Sequence, residues 1–195
     1  CSTDLSEASS KIYYRLNDMN ENGFEEIFRC AELALNLEKT KPDSYLVSRT
    51  FYKDKALILI QLAEAYSLMG RYTKAEHYLK QVLAVPDVSR TDDDEYPYMA
   101  ALRKLASVIY LQGRVSEAES LYQKALKLLE GIDDARPSYI GILGDFGAFL
   151  TGNGRYAEAE PIIKQYIELY KPILGEYFEN RIETQKRFLA GQGYS

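Results

Sequence analysis

Three observations predict an all-α solenoid of antiparallel helical hairpins. A cassette, Gly-Arg-(Tyr/Val)-x-x-Ala-Glu, occurs at Gly70, Gly113 and Gly154, spaced 43 and 41 residues apart. Around each cassette, apolar residues recur at three- and four-residue steps, the period of one helix face. No strand-like alternation competes anywhere along the 195 residues.

Each element follows from a physical requirement. Leu59/Leu62/Tyr66, Leu102/Leu105/Ile109 and Leu143/Phe146/Leu150 form the inward stripe of a first helix. Ala63, Ala106 and Gly147 are small at equivalent points, which lets two helices approach closely. The glycine then ends that helix, where a left-handed backbone costs it nothing. Ala75, Ala118 and Ala159 begin the inner face of a second, antiparallel helix. Leu79/Val82/Leu83, Tyr122/Ala125/Leu126 and Ile163/Tyr166/Ile167 continue it. Pro161 is expected in the first turn of its helix, where N–H groups are unbonded anyway. Lys41-Pro42-Asp43, Asp92 to Pro97 and Asp133 to Pro137 separate the hairpins, and Asp43 or Ser44 can cap the helix that runs to Met69.

The ends carry weaker copies. Asn22-Gly23-Phe24-Glu25-Glu26-Ile27 reads as the same turn with Ile27 in place of Ala, 48 residues before the next copy, and Ile12, Leu16 and Met19 supply the helix before it. Ile173 to Leu189 reads as a polar closing helix, which solenoids need for solubility. The expected organisation is a polar tether over 1–10, then an array over 11–172. The array divides into a degenerate repeat at about 11–41 and hairpins at 43–88, 94–131 and 137–172. A capping helix at 173–190 completes the chain.

The small residue in helix one, the turn glycine, the aromatic after it and the Ala of helix two together resemble the tetratricopeptide repeat. The period near 42 exceeds that family's usual length of about 34. With Ala157-Glu158-Ala159-Glu160-Pro161 and Ser120-Leu121-Tyr122-Gln123-Lys124-Ala125-Leu126, it resembles the kinesin-light-chain type. The match covers about residues 56–171. Val115 in place of the aromatic and Tyr166 in place of a small residue depart from the pattern. The resemblance implies a right-handed superhelix whose first helices line a concave surface that receives a segment of another protein. Carried over by alignment, that surface includes Ile60, Glu64, Ser67 and Leu68, then Arg103, Ser107, Tyr110 and Leu111, then Gly144, Ala148 and Thr151. The competing reading is that several of these pack between hairpins. The small residues of the third hairpin permit close approach by a partner. The carboxylate clamp of chaperone-tail binders needs Lys and Asn at set places; Glu64 and Asp145 stand here and the Asn pair is missing.

Composition narrows the function class. Hydrophobic residues at 46% and charged residues at 27% suit a folded globular chain, and no run of eighteen apolar residues occurs. The net charge of -5 is spread along the chain with Lys and Arg interleaved among the acids, so no basic face for nucleic acid is expected. Two cysteines, Cys1 and Cys30, build neither a disulfide framework nor a zinc site, and the lone His77 has no Cys or second His near it. Cys30, in an apolar run, reads as a small buried thiol. The Asp92–Glu95 run lacks the alternating ligands and glycine of a calcium loop. No nucleophile elbow, phosphate loop or paired-His motif appears. The glycines from Gly141 to Gly154 sit inside a helical repeat, so the dinucleotide reading fails its context. No enzyme activity, cofactor or metal is therefore expected.

The start Cys1-Ser2-Thr3-Asp4, followed by a polar stretch, resembles a processed bacterial lipoprotein. That resemblance implies acyl chains on Cys1, a bilayer tether gaining about 0.8 kcal/mol per buried CH₂, and the cell envelope as location. The alternative is a boundary inside a longer repeat protein. The leading functional expectation is a protein-binding scaffold or adaptor, tethered through Cys1 as a subunit of an assembly. The alternative is a peptide- or ligand-responsive sensor module of a larger regulatory protein.

Overall fold

In the computed structural model, residues 21–37, 49–84, 97–129 and 137–174 are described, and all their regular structure is helical. The helices are α1 (Glu21–Leu37), α2 (Arg49–Leu68), α3 (Tyr72–Leu83), α4 (Pro97–Leu111), α5 (Val115–Leu129), α6 (Pro137–Gly152) and α7 (Tyr156–Leu174). Residues 1–20, including Cys1, the expected cap at Asp43 or Ser44, the Asp92–Glu95 run, the side chain of Cys30 and the expected closing helix beyond Leu174 lie outside the described residues.

All three cassette glycines have left-handed backbones, with φ of +70° at Gly70, +78° at Gly113 and +73° at Gly154. The hydrogen bonding around them repeats in detail. Each glycine N–H donates three residues back, Gly113 to Tyr110 at 2.8 Å. Each following arginine N–H donates five residues back, Arg114 to Ile109 at 3.1 Å. This is the Schellman ending, which pairs the last carbonyls of a helix and turns the chain sharply. Pro97 and Pro137 open α4 and α6, where a missing N–H costs nothing.

The chain divides into two compact units, Cys1–Ala118 and Glu119–Ser195. In the first, α1 packs on α2, and α2 and α3 form a hairpin against which α4 lies. Ile27 and Ala31 of α1 meet Ile58, Leu62 and Ala65 of α2, with Phe24, Phe28, Leu35, Tyr52 and Tyr78 around them. Phe28, Tyr66 and Tyr78 stack in a column at centroid spacings of 4.5 and 5.5 Å. Each fully buried Leu or Ile of such a core contributes roughly 1.5–3 kcal/mol.

In the second unit α6 packs on α7. A Cβ added at Gly147 would stand 2.8 Å from Ile163 Cγ1, so the close approach expected of the small position is real here. Tyr122, Phe146 and Phe149 form an aromatic cluster with centroids 5.5–6.0 Å apart, within the range for favourable ring pairs.

Two local expectations are corrected. Helix α1 already contains Asn22 and Gly23, so the turn expected there is the first turn of a helix. Pro161 is the sixth residue of α7, past the first turn. Its ring therefore removes an interior hydrogen bond instead of falling among unbonded N–H groups, and the helix continues through it.

Candidate protein-docking surface

Of the first helices expected to receive a partner, α2 and α4 belong to the first unit and α6 to the second. Within the first unit, an ion pair between Glu64 and Lys104 at 2.9 Å draws the faces of α2 and α4 together. Leu68 and Leu111, each two residues before a turn glycine, are 55% and 52% exposed. Ser107, Arg103 and Tyr110 of α4 are half-buried, and Ser107 donates back to the Arg103 carbonyl. Ile60 is only 6% exposed, so its side chain belongs to the core of the first unit.

In the second unit Ala148 is exposed, and half-buried Thr151 donates to the Gly147 carbonyl at 2.8 Å. Gly144 does not open a notch for a partner. Tyr166 lies across it, with Cε2 3.0 Å from where a Cβ would be. The departure at Tyr166 and the smallness of Gly144 thus explain each other. Where the first hairpin has Ile60 with Val82, this hairpin has Gly144 with Tyr166, exchanging large for small.

The cassette also builds something that motif reading missed. Its arginine and its final glutamate pair between successive hairpins. Arg114 Nη1 donates to Glu76 at 2.8 Å, and Arg155 reaches Glu119 with two bonds of 2.7 and 2.8 Å. Each arginine also grips the glutamate three residues on, Glu117 or Glu158. Gln112 adds a 2.9 Å bond to Glu76, and Lys80 a 2.6 Å bond from the next helical turn. The signal was present in the recurring Arg and Glu themselves, which no helix-packing argument requires.

These rungs set local electrostatics. Burial alone would raise the pKa of Glu76, whose side chain is 11% exposed. The bonds from Lys80, Gln112 and Arg114 outweigh that and hold the carboxyl at about 2. Glu117 and then Glu76 push the Arg114 pKa above its ordinary value; Glu158 and then Glu119 do the same for Arg155. In Tyr78, burial and the neighbouring Tyr66 raise the phenol.

Among the described residues no metal-holding cluster assembles. No group of three or more His, Cys, Asp or Glu side chains converges there. His77 is exposed, 2.9 Å from Gln81 and edge-on to Tyr78. No described helix is long and apolar enough to cross a membrane.

Comparison with known proteins agrees with this architecture. Two family models, each described as tetratricopeptide repeat, match residues 56–85 and 98–172, together more than half of the chain. Among solved structures, a point-mutant form of a putative kinesin light chain with nearly identical TPR-like repeats from Podospora anserina is 20% identical, with a TM-score of 0.62. The match covers 87% of this chain and 77% of that one. BtubC (BKLC) from P. vanneervenii is 14% identical over 89% of this chain and 74% of that one, with a TM-score of 0.53. No curated protein matches significantly. At these identities the solved structures share the fold, and the repeat models carry the assignment: this chain belongs to the tetratricopeptide repeat family.

Proposed function

We propose that this chain is a non-catalytic scaffold that binds a segment of another protein on the surface of its first helices. One observation carries the reading. Leu68 and Leu111 hold the same place in successive first helices and stay more than half exposed, whereas Leu59, Leu62, Leu102, Leu105 and Ile109 of the same helices are buried. Full burial of a leucine is worth roughly 1.5–3 kcal/mol and these two are about half exposed, so a partner covering both gains about 1.5–3 kcal/mol in total. Arg103 and Tyr110, residue types that often dominate binding energy, are half-buried on the helix that carries Leu111. Family membership supports the reading, since tetratricopeptide repeats commonly mediate protein–protein interaction.

The test combines Arg103→Ala with Tyr110→Ala. A partner is purified with the wild-type chain from its native source, and its affinity for both forms is measured by calorimetry. A loss of about tenfold or more is expected from hot-spot truncation. Unchanged affinity in a double variant with an intact helical spectrum refutes the assignment.

A further inference from the structure

We propose that the turn edge of the first unit is a docking site for an acidic amphipathic segment of a partner protein. This rests on the scaffold reading above and narrows it to one surface and one partner chemistry.

The first argument is apolar exposure. Leu68, Met69, Leu111 and Val115 are exposed by 55, 38, 52 and 37%, and they flank the turn glycines Gly70 and Gly113. Gln112 and Arg114, which bracket Gly113, both bond Glu76 Oε2, at 2.9 and 2.8 Å. That rung fastens the second turn against the start of α3, directly after the first turn, so the four side chains belong to one edge. At the equivalent places the third turn has Gly152, Asn153 and Tyr156. The aliphatic strip is a property of the first two turns.

The second argument is charge. Arg114 and Arg155 each hold one carboxylate of their own helix and one of the preceding hairpin. Arg71 occupies the same cassette position after Gly70, but both acceptors are replaced. Lys74 stands where Glu117 and Glu158 stand, and Phe28, stacked on Tyr66, stands where Glu76 and Glu119 stand. No carboxylate among the described residues answers Arg71 or Lys74; Lys74 lies 5.2 Å over the Tyr66 ring. Two cations without a described carboxylate therefore border an aliphatic strip in a chain whose net charge is -5. A segment with aliphatic residues on one face and carboxylates along its margin satisfies both features. A basic segment would place like charges against Arg71 and Lys74, and a neutral one would leave them unanswered.

Fluorescence polarisation on the whole chain tests this with three probes: a labelled amphipathic helical peptide of Leu and Glu, its Lys-for-Glu counterpart, and anionic lipid vesicles. The wild type is expected to bind the Leu/Glu peptide roughly tenfold tighter than the Leu/Lys peptide. Arg71→Glu with Lys74→Glu should reverse that preference, and Leu68→Ser with Leu111→Ser should weaken both peptides. These residues are exposed, so the variants are expected to keep the wild-type helical spectrum. Equal binding of the two peptides, binding insensitive to both edge variants, or preference for the vesicles overturns the proposal. Binding lost in Arg103→Ala with Tyr110→Ala but kept in the edge variants also overturns it, while leaving the scaffold reading standing. A native partner that tolerates both sets of substitutions defeats the scaffold reading as well.

Discussion

Replacing Glu76 by glutamine should change how stability depends on pH, in a direction fixed by the rung. The ordinary carboxylate value of 4.5 falls to about 2 in the folded chain, because bonds from Lys80, Gln112 and Arg114 outweigh the cost of burial. At about 1.36 kcal/mol per pKa unit, the ionised carboxylate contributes on the order of 3 kcal/mol. A lowered pKa means the unfolded chain takes up the proton first. The contribution is therefore complete above about pH 4.5 and is lost as pH falls toward 2. The Glu76→Gln side chain keeps the shape and some hydrogen bonds but has no charge to titrate. The variant should be less stable at pH 7 by about 2–3 kcal/mol, the gap closing between about pH 4.5 and 2.5. Urea unfolding followed by circular dichroism at stepped pH measures both curves, and their difference isolates this carboxylate from all others. A gap that stays constant across that whole pH range would refute the reasoning.

Other consequences concern packing. Gly113→Ala meets no atom within 4 Å, so it should cost only the left-handed backbone, about 1–2 kcal/mol. Gly147→Ala drives a Cβ to 2.8 Å from the stiff Ile163 side chain and should cost about 1–3 kcal/mol through displaced packing. The two are separable because pairing Gly147→Ala with Ile163→Ala should recover part of the loss, whereas no side-chain substitution should rescue Gly113→Ala. Tyr166→Val uncovers Gly144, and Gly144→Ile collides with Tyr166. The double variant restores the Ile60/Val82 arrangement of the first hairpin and should be more stable than the summed singles predict by about 1 kcal/mol in denaturant titrations. Strict additivity would show that the exchange of large for small is incidental.

Most of the hairpin architecture is legible in the sequence because it rests on local constraints. A left-handed turn position tolerates few residues besides glycine, so Gly70, Gly113 and Gly154 announce three helix ends. A three-to-four period can face only one way, so the buried stripes of α2, α4 and α6 are readable before any coordinate. What depends on contact between distant residues is not. Nothing local says that Tyr166 lies over Gly144, and smallness there suggests an opening where the structure has a filled site. Ile60 aligns with a lining position, yet its side chain turns into the core. Asn22-Gly23 has the composition of a turn, but nothing local prevents glycine from entering the first turn of a helix. The Arg–Glu rungs span 36 and 38 residues, and a pairing at that distance becomes visible only once hairpins stack.

Those rungs give the array a chemical direction. Where two cassettes follow one another, the arginine of the later meets the final glutamate of the earlier, at Glu76–Arg114 and at Glu119–Arg155. A hairpin copied and inserted between its neighbours would find its arginine answered on one side and its glutamate on the other. Growth or shortening by whole hairpins is thus compatible with the junction chemistry. The cassette works as a coupling standard as much as a turn.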